Sequence, residues 1–330
     1  MHILNLIPRA GCVASCLLGG VVVHAQEKSI ADNYPSRTIR FIVPYSPGGP
    51  TDVLARVLAQ KLGDALGQQI IADNRPGSSG TIGMDVAAKA VPDGYTLGVI
   101  GQPHLINAIL LKDPPYRALE DVVAIAQIAS LPNVLVVSPN LPVKTTADLI
   151  ALAKSKPGEL NFGSAGIGAS SHIAGEAFKA AAGINVTHVP FKLLSDVFTE
   201  MMAGRVHLYL FPLPAAMPML KDNKLHVLAV GTPKSVPALP GVPTIAESGL
   251  PGFQTQSWFG VVGPSKLSRA IVAQLNKDVV DILQQADTRE RFLRQGADAV
   301  ITTPEEFQKL MQSEYAKYQK LVKDAGISTQ

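Results

Sequence analysis

The feature that most restricts this chain is an alternation of short β-branched runs with longer amphipathic stretches, sustained from residue 39 to residue 229. Ile39, Phe41, Ile42 and Val43 form a compact apolar run that predicts a strand. Residues 51–66 then place Val53, Leu54, Val57, Leu58, Leu62 and Leu66 at helical spacing. The beat repeats, with strands expected at 69–72, 95–100, 134–137, 185–189, 206–210 and 225–229 and helices at 82–90, 147–154, 173–182 and 196–203. Alternation of this kind predicts an α/β fold, each unit a mostly parallel sheet covered on both faces by helices. In such sheets ligands sit beyond the carboxyl ends of the strands, at the first turns of the helices that follow.

A chain of 330 residues exceeds what one hydrophobic core usually fills, so two lobes are expected. Two segments read as crossings between them, 131–137 and 256–262, the second preceding a pair of helices at 268–285 and 304–324. The expected organisation is lobe one from 26–133 plus 258–330, and lobe two from 134–257. The proline-rich stretch 233–251 reads as a surface excursion.

Residues 1–25 stand apart in composition. Arg9 precedes an apolar stretch from Ala10 to Val23, and Val23-His24-Ala25 puts small or apolar residues ahead of Gln26. That pattern predicts a cleavable secretory signal ending at Ala25, and therefore export. Val13-Ala14-Ser15-Cys16 offers an alternative, lipoprotein-type cleavage. Both cysteines, Cys12 and Cys16, fall within this segment, so disulfides, thiolate catalysis and cysteine-based metal sites are excluded from the rest. No later apolar run reaches the length of a membrane-spanning helix. With 29 basic residues against 26 acidic ones, Arg9 included, the chain has no electrostatic footprint for nucleic acid or for a polybasic membrane surface.

Three polar turns carry the chemistry. Pro44-Tyr45-Ser46-Pro47-Gly48-Gly49-Pro50-Thr51-Asp52 joins a strand to a helix. Adjacent glycines let the backbone turn N–H groups inward, and a helix start adds aligned amide dipoles, so the turn is a candidate anion site. The alternative is an ordinary strand–helix turn with Thr51 or Asp52 as N-cap. Residues 161–172 supply three glycines (Gly163, Gly166, Gly168) and three hydroxyls (Ser164, Ser170, Ser171) ahead of another helix; the plainer reading is a flexible loop capped by Ser170 or Ser171. Residues 74–81, with Ser79, repeat the chemistry, or form a merely solvated loop.

Enzyme signatures are missing. The sequence around Ser164 and Ser171 lacks the G-x-S-x-G elbow, and adjacency of Ser171 and His172 is not a triad. Neither a dinucleotide fingerprint nor a P-loop occurs. His104, His188, His207 and His226 are scattered without ligand spacing, so neither metal nor cofactor is expected.

Taken in order, Tyr34-Pro35, Ile42-Val43-Pro44, the Gly48 to Asp52 turn, Asn74-Arg75-Pro76-Gly77, Pro92-Asp93-Gly94-Tyr95, the Gly163 to His172 loop, His188-Val189-Pro190-Phe191-Lys192, Leu239-Pro240-Gly241-Val242-Pro243 and Trp258-Phe259-Gly260 resemble the Bug-type receptors of tripartite tricarboxylate transporters. The resemblance implies a periplasmic, two-lobed type II solute-binding fold with its ligand cleft between the lobes. It also implies a monomer that binds a small organic carboxylate and passes it to membrane permease subunits, with no catalysis. The ligand-contacting positions it implies, together with the turns above, are Tyr45, Ser46, Gly48, Gly49, Thr51, Ser79, His104, Ser164, Ala165, Gly166, Ser170, Ser171, His172 and Phe191. Two other functions fit a chain of this kind: a ligand sensor for a signalling kinase, and a hydrolase using Ser171 and His172. The sequence departs from the family pattern at Leu193, at Asp196-Val197, and at His207 and Phe211, where acidic or small residues are usual. A cleft favouring an acid with an apolar or aromatic body over citrate is the expectation from those departures.

Overall fold

The computed structural model describes residues 34–327; the predicted signal segment and the side chain of Ser79 lie outside the described residues. Ten strands form one continuous, strongly divided sheet. The first part contains β1 (Ile39–Val43), β2 (Ile70–Asn74) and β3 (Thr96–Gly101), mutually parallel in the order β2-β1-β3. It continues through β9 (Gln256–Pro264), antiparallel to β3, and the first eleven residues of β4 (Val122–Val137) to the short β10 (Asp298–Ala299). The second part contains the last five residues of β4 together with β5 (Asn161–Ser164), β6 (Thr187–Pro190), β7 (Leu208–Pro212) and β8 (His226–Val230). Here β5, β6 and β7 run parallel, while β4 is antiparallel to both β7 and β8.

Helices cover both faces of each part. On the first, α1 (Pro50–Leu66), α8 (Arg269–Gln284) and α9 (Ala286–Arg294) bury Leu54, Leu58, Leu62, Ile271, Leu275 and Phe292 against Phe41 and Val99. Its other face takes α2 (Thr81–Ala88), α3 (Pro103–Leu110) and α10 (Pro304–Asp324), around Ile42, Met84, Ile106, Phe307 and Met311. On the second part α4 (Thr146–Ser155) and α5 (Ser170–Ala182) share a core with Phe162 and Phe178. Opposite them, α6 (Leu194–Met202) and α7 (Leu213–Lys221) bury Phe198, Met201 and Ala216 against Tyr209 and Phe211. Burial on both faces explains why the strands read as near-continuous apolar runs.

The two parts meet where β4 changes partners. Val122–Pro132 pairs with β9, whereas Asn133–Val137 pairs with β7 and β8. Asn133 ties this point to the returning chain: its Nδ2 donates to Thr255 Oγ1 at 3.0 Å, and its carbonyl accepts from Gly231 N–H at 2.7 Å. Gly231 N–H thus reaches one crossing while its carbonyl accepts from Thr255 N–H on the other, at 2.8 Å. A side chain at Gly231 would lie 2.2 Å from the Thr255 carbonyl oxygen, so only glycine permits this closeness.

Several expected boundaries shift. The crossing at 131–137 is the C-terminal part of one sixteen-residue strand, not a separate linker. Helix α5 begins at Ser170, one turn earlier than its apolar periodicity indicates, and residues 161–164, expected as loop, form β5. Helices α3, α7 and α9 were not expected; α3 and α7 both carry proline in the first turn, a helix-start signal that is legible in the sequence. The proline-rich excursion is pinned to the sheet by a bridge between Val230 and Thr244, with Ile245 buried beneath it.

Candidate ligand-binding cleft

Between the two parts lies a cavity of about 480 Å³, walled on one side by Gly48, Pro50, Val53, Leu54 and Leu131 and on the other by Ala165, Ser170, Ser171, Leu194, Tyr209, Phe211 and Pro214. A smaller cavity of about 190 Å³ adjoins it, lined by Tyr45, Gly49, Thr51, Gln102, Ser257, Trp258 and Phe259. Pro50, Ser170 and Pro212 border both, so the two volumes are neighbouring compartments of one cleft.

Helix starts converge on this space. The first turns of α1, α5, α6 and α7 line the larger compartment, and those of α1 and α3 the smaller. None of these five helices has a side-chain N-cap hydrogen bond; their N-caps are Gly49, Gln102, Ala169, Leu193 and Pro212. Helices α4, α8 and α10, whose starts lie away from the cleft, are capped by Thr145, Ser268 and Thr303. First-turn amides without an intrahelical partner are anion donors, strengthened by the helix dipole. The cleft therefore faces first-turn amides that lack the side-chain acceptor found at α4, α8 and α10.

The glycine turn works differently from the sequence expectation. Gly48 N–H donates to Asp52 Oδ2 at 2.9 Å, and Gly49 N–H reaches back to the Ser46 carbonyl at 3.4 Å. Asp52 is the third residue of α1, not its N-cap, and folds its carboxylate over the turn. Asn74 Nδ2 and Arg56 also donate to it. Burial opposes the charge on Asp52, but the bonds from Arg56, Gly48 and Asn74 outweigh it and hold the carboxyl below its ordinary range. The glycine amides are consumed in shaping the turn, which leaves the amides of α1 itself, at Thr51 and Asp52, as the donors on this side.

Across the cleft, Ser171 Oγ accepts from Ala165 N–H at 3.1 Å, and Ser164 Oγ accepts from Gly166 N–H at 3.1 Å. Ser164 Oγ also lies 2.6 Å from His188 Nε2. His172 Nδ1 accepts from Gly168 N–H at 3.2 Å, and its ring stacks on that of His188. Burial pushes both imidazoles down to about 4, with the charge of Lys179 adding to the effect. Neutral rings are what these hydrogen bonds require, because an imidazolium nitrogen cannot accept from Gly168.

Of the expected contact residues, the structure brings Tyr45, Gly48, Gly49, Thr51, Ala165, Ser170 and Ser171 to the cleft wall. Ser46, Ser164, Gly166, His172 and Phe191 do not line it. Ser164 and His172 brace the loop from behind, and Phe191 donates its N–H to the Ser164 carbonyl at 3.0 Å. His104 is a correction: it lies on α3, 2% exposed, stacked on Tyr116 with centroids 5.2 Å apart. Its Nε2–H donates to the Ala118 carbonyl at 3.0 Å, and burial lowers its pKa to about 4. The side chains of Ser171 and His172 bond to different backbone amides, so they do not form the nucleophile–base pair of the hydrolase reading. Missed in the sequence were Val53, Leu54, Leu131, Leu194, Tyr209, Pro214 and Gln102; position in the fold, more than residue type, makes them wall residues. Trp258, open in the sequence between core and wall, is both: 2% exposed and at the edge of the smaller compartment. Among the described residues no cluster of His, Cys, Asp and Glu could hold a metal ion, and no helix is long and apolar enough to cross a membrane.

Residues 54–327 match the family described as the tripartite tricarboxylate transporter family receptor, and the chain belongs to that family. It is 35% identical to Protein BugT of Bordetella pertussis over 298 residues, covering 90% of this chain and 91% of that one. Among solved structures, Rpa4515 of R. palustris with adipate superposes with a TM-score of 0.77 at 36% identity, over 89% of this chain and 99% of the other. MatC of Rhodopseudomonas palustris with bound malate gives a TM-score of 0.73 at 30% identity, over 88% of this chain and 100% of its own. These relatives share the two-lobed α/β architecture described above.

Proposed function

We propose that this protein is an extracytoplasmic solute receptor that captures a small organic carboxylate between its two lobes and delivers it to the permease subunits of a tripartite tricarboxylate transporter. The observation that carries the reading is the pair of uncapped helix starts, α1 and α5, facing one cavity from opposite sides. A carboxylate seated between them accepts from amides on both lobes at once, so binding and lobe closure stabilise one another. Hydrogen bonds to a charged group contribute roughly 1.5–3 kcal/mol each. Four of them, reduced by ordering costs, reach the ~8 kcal/mol of a micromolar complex.

In this reading lobe one comprises 26–133 and 258–330, lobe two comprises 134–257, and the mature protein works as a periplasmic monomer after removal of residues 1–25. Tyr45, Thr51, Ser170 and Ser171 are the side chains that meet the ligand. The relatives crystallised with adipate and with malate support a carboxylate as the ligand class. Binding without turnover fits the separate engagements of Ser171 and His172.

A thermal-shift screen against a carboxylic-acid library tests the assignment. A ligand at 100 times its Kd adds about 2.7 kcal/mol to the folded state. A library in which no acid raises the melting temperature would refute the receptor reading.

A further inference from the structure

We propose that the cleft selects a monocarboxylic acid with an apolar, flat or branched body over di- and tricarboxylates. The proposal rests on the carboxylate-receptor reading and narrows it.

Among the described residues, no Lys, Arg, His, Asp or Glu lines either compartment. One anion site is supplied by the facing starts of α1 and α5, with the hydroxyls of Ser170 and Ser171. Away from it, the larger compartment presents Val53, Leu54, Leu131, Leu194, Phe211 and Ala215. Phe211 stacks on Tyr209 with centroids 4.3 Å apart and planes 12° from parallel, and Phe198 supports it from 5.4 Å. That is a flat apolar wall backed by a second aromatic ring.

Two further helix starts border this compartment: α6 begins at Leu194 but carries Asp196 in its first turn, a negative charge that opposes an anion there, and α7 would be the natural place for a second carboxylate. The sequence of α7 reduces the means. The N-cap is Pro212 and the second helical residue is Pro214, and proline has no N–H to donate. That leaves two amides, as many as α1 keeps, but the first turn of α7 has no hydroxyl where α1 has Thr51 and α5 has Ser170 and Ser171, and no cation stands in the lining to make up the difference. A second carboxylate would be desolvated against Phe211, Leu131 and Pro214 with no charged partner, and an unpaired buried charge costs far more than a neutral donor returns. An apolar body gains from the same surface by leaving water.

Calorimetry on the mature protein near pH 7.5, with chain-matched probes, tests this. Hexanoate is compared with adipate, benzoate with terephthalate, and citrate is included. The expected result is that, in every pair of which either member binds, the monocarboxylate binds tenfold or more tightly than its dicarboxylate partner. Adipate, terephthalate or citrate binding as tightly as the monoacids would overturn the selectivity while leaving the carboxylate-receptor reading intact. Binding by none of the five, with none found in the acid screen, would remove both. Leu194→Lys gives a second readout, since Leu194 is half-buried at the edge of the apolar wall and a lysine there can reach the cavity from the rim. It is expected to shift the adipate-to-hexanoate affinity ratio at least tenfold toward adipate; an unchanged ratio in a folded variant contradicts the proposal.

Discussion

The imidazole rings of His172 and His188 stack at 4.0 Å between centroids, 17° from parallel, behind the loop that carries Ser164 to Gly168. Phe162 continues the stack 4.7 Å beyond His188, and Lys179 lies 5.4 Å from the Phe162 ring. Two imidazoles this close, with a lysine beside them, are both held neutral.

That arrangement fixes a pH dependence. Burial lowers His104, His172 and His188 from 6.5 to about 4, with Lys179 adding to the effect for the stacked pair and His172 for its partner. Between these values the unfolded chain binds protons that the folded one refuses, so stability is complete above pH 6.5 and falls as the pH drops toward 4. Thermal midpoints measured without ligand from pH 7 to pH 4.5 should decline, and His188→Gln should make the decline shallower. A His188→Gln slope equal to that of the parent would show that the ring does not contribute.

Ser170 borders both compartments and is expected to touch the ligand directly. Ser170→Ala should weaken the best ligand by about tenfold, the loss of one hydrogen bond to a charged group. The unliganded melting temperature should move little, since α5 takes no side-chain cap from Ser170. Titration calorimetry paired with a melt separates the two effects.

Asp52→Ala takes away the acceptor for Gly48 N–H, Asn74 and Arg56 together. With Asp52 only 3% exposed, the expected cost is about 1–3 kcal/mol of stability, from buried donors left unmatched. Ligand affinity should fall as well, because the turn that seats α1 against the cleft loses its tether. Chemical denaturation and calorimetry on the same preparation measure both.

Gly175→Ala tests the packing behind the ligand loop. A Cβ there would sit 2.3 Å from the Phe162 ring, which is the first member of the aromatic stack. Overpacking of this kind costs typically 1–3 kcal/mol. A variant as stable as the parent would mean that α5 can withdraw from β5 at no cost.

The alternation of runs made the fold class legible, because strands buried on both faces must be apolar throughout and helices between them must be amphipathic. The short helices escaped. Pro103 to Leu110 is eight residues long, shorter than the window over which a helical period can be read, and His104 inside it looked like a cleft residue when it is core. The site was half legible. Glycines and serines at helix starts announced Gly48, Thr51, Ser170 and Ser171, since that chemistry is local. The apolar wall was not announced: Leu131, Leu194 and Tyr209 reach one cavity from three separate segments, and nothing in a linear sequence distinguishes them from ordinary core. Nor could the sequence reveal that Asp52 consumes the Gly48 amide, which depends on how the turn folds back.

Strand β4 belongs to both halves of the sheet, and Asn133 sits where it changes partners. Pulling either half open strips a row of ladder bonds from a backbone the other half also uses. Heat or denaturant should therefore take the molecule down in one cooperative step, with calorimetric and van't Hoff enthalpies in agreement, where two beads on a string would melt in succession.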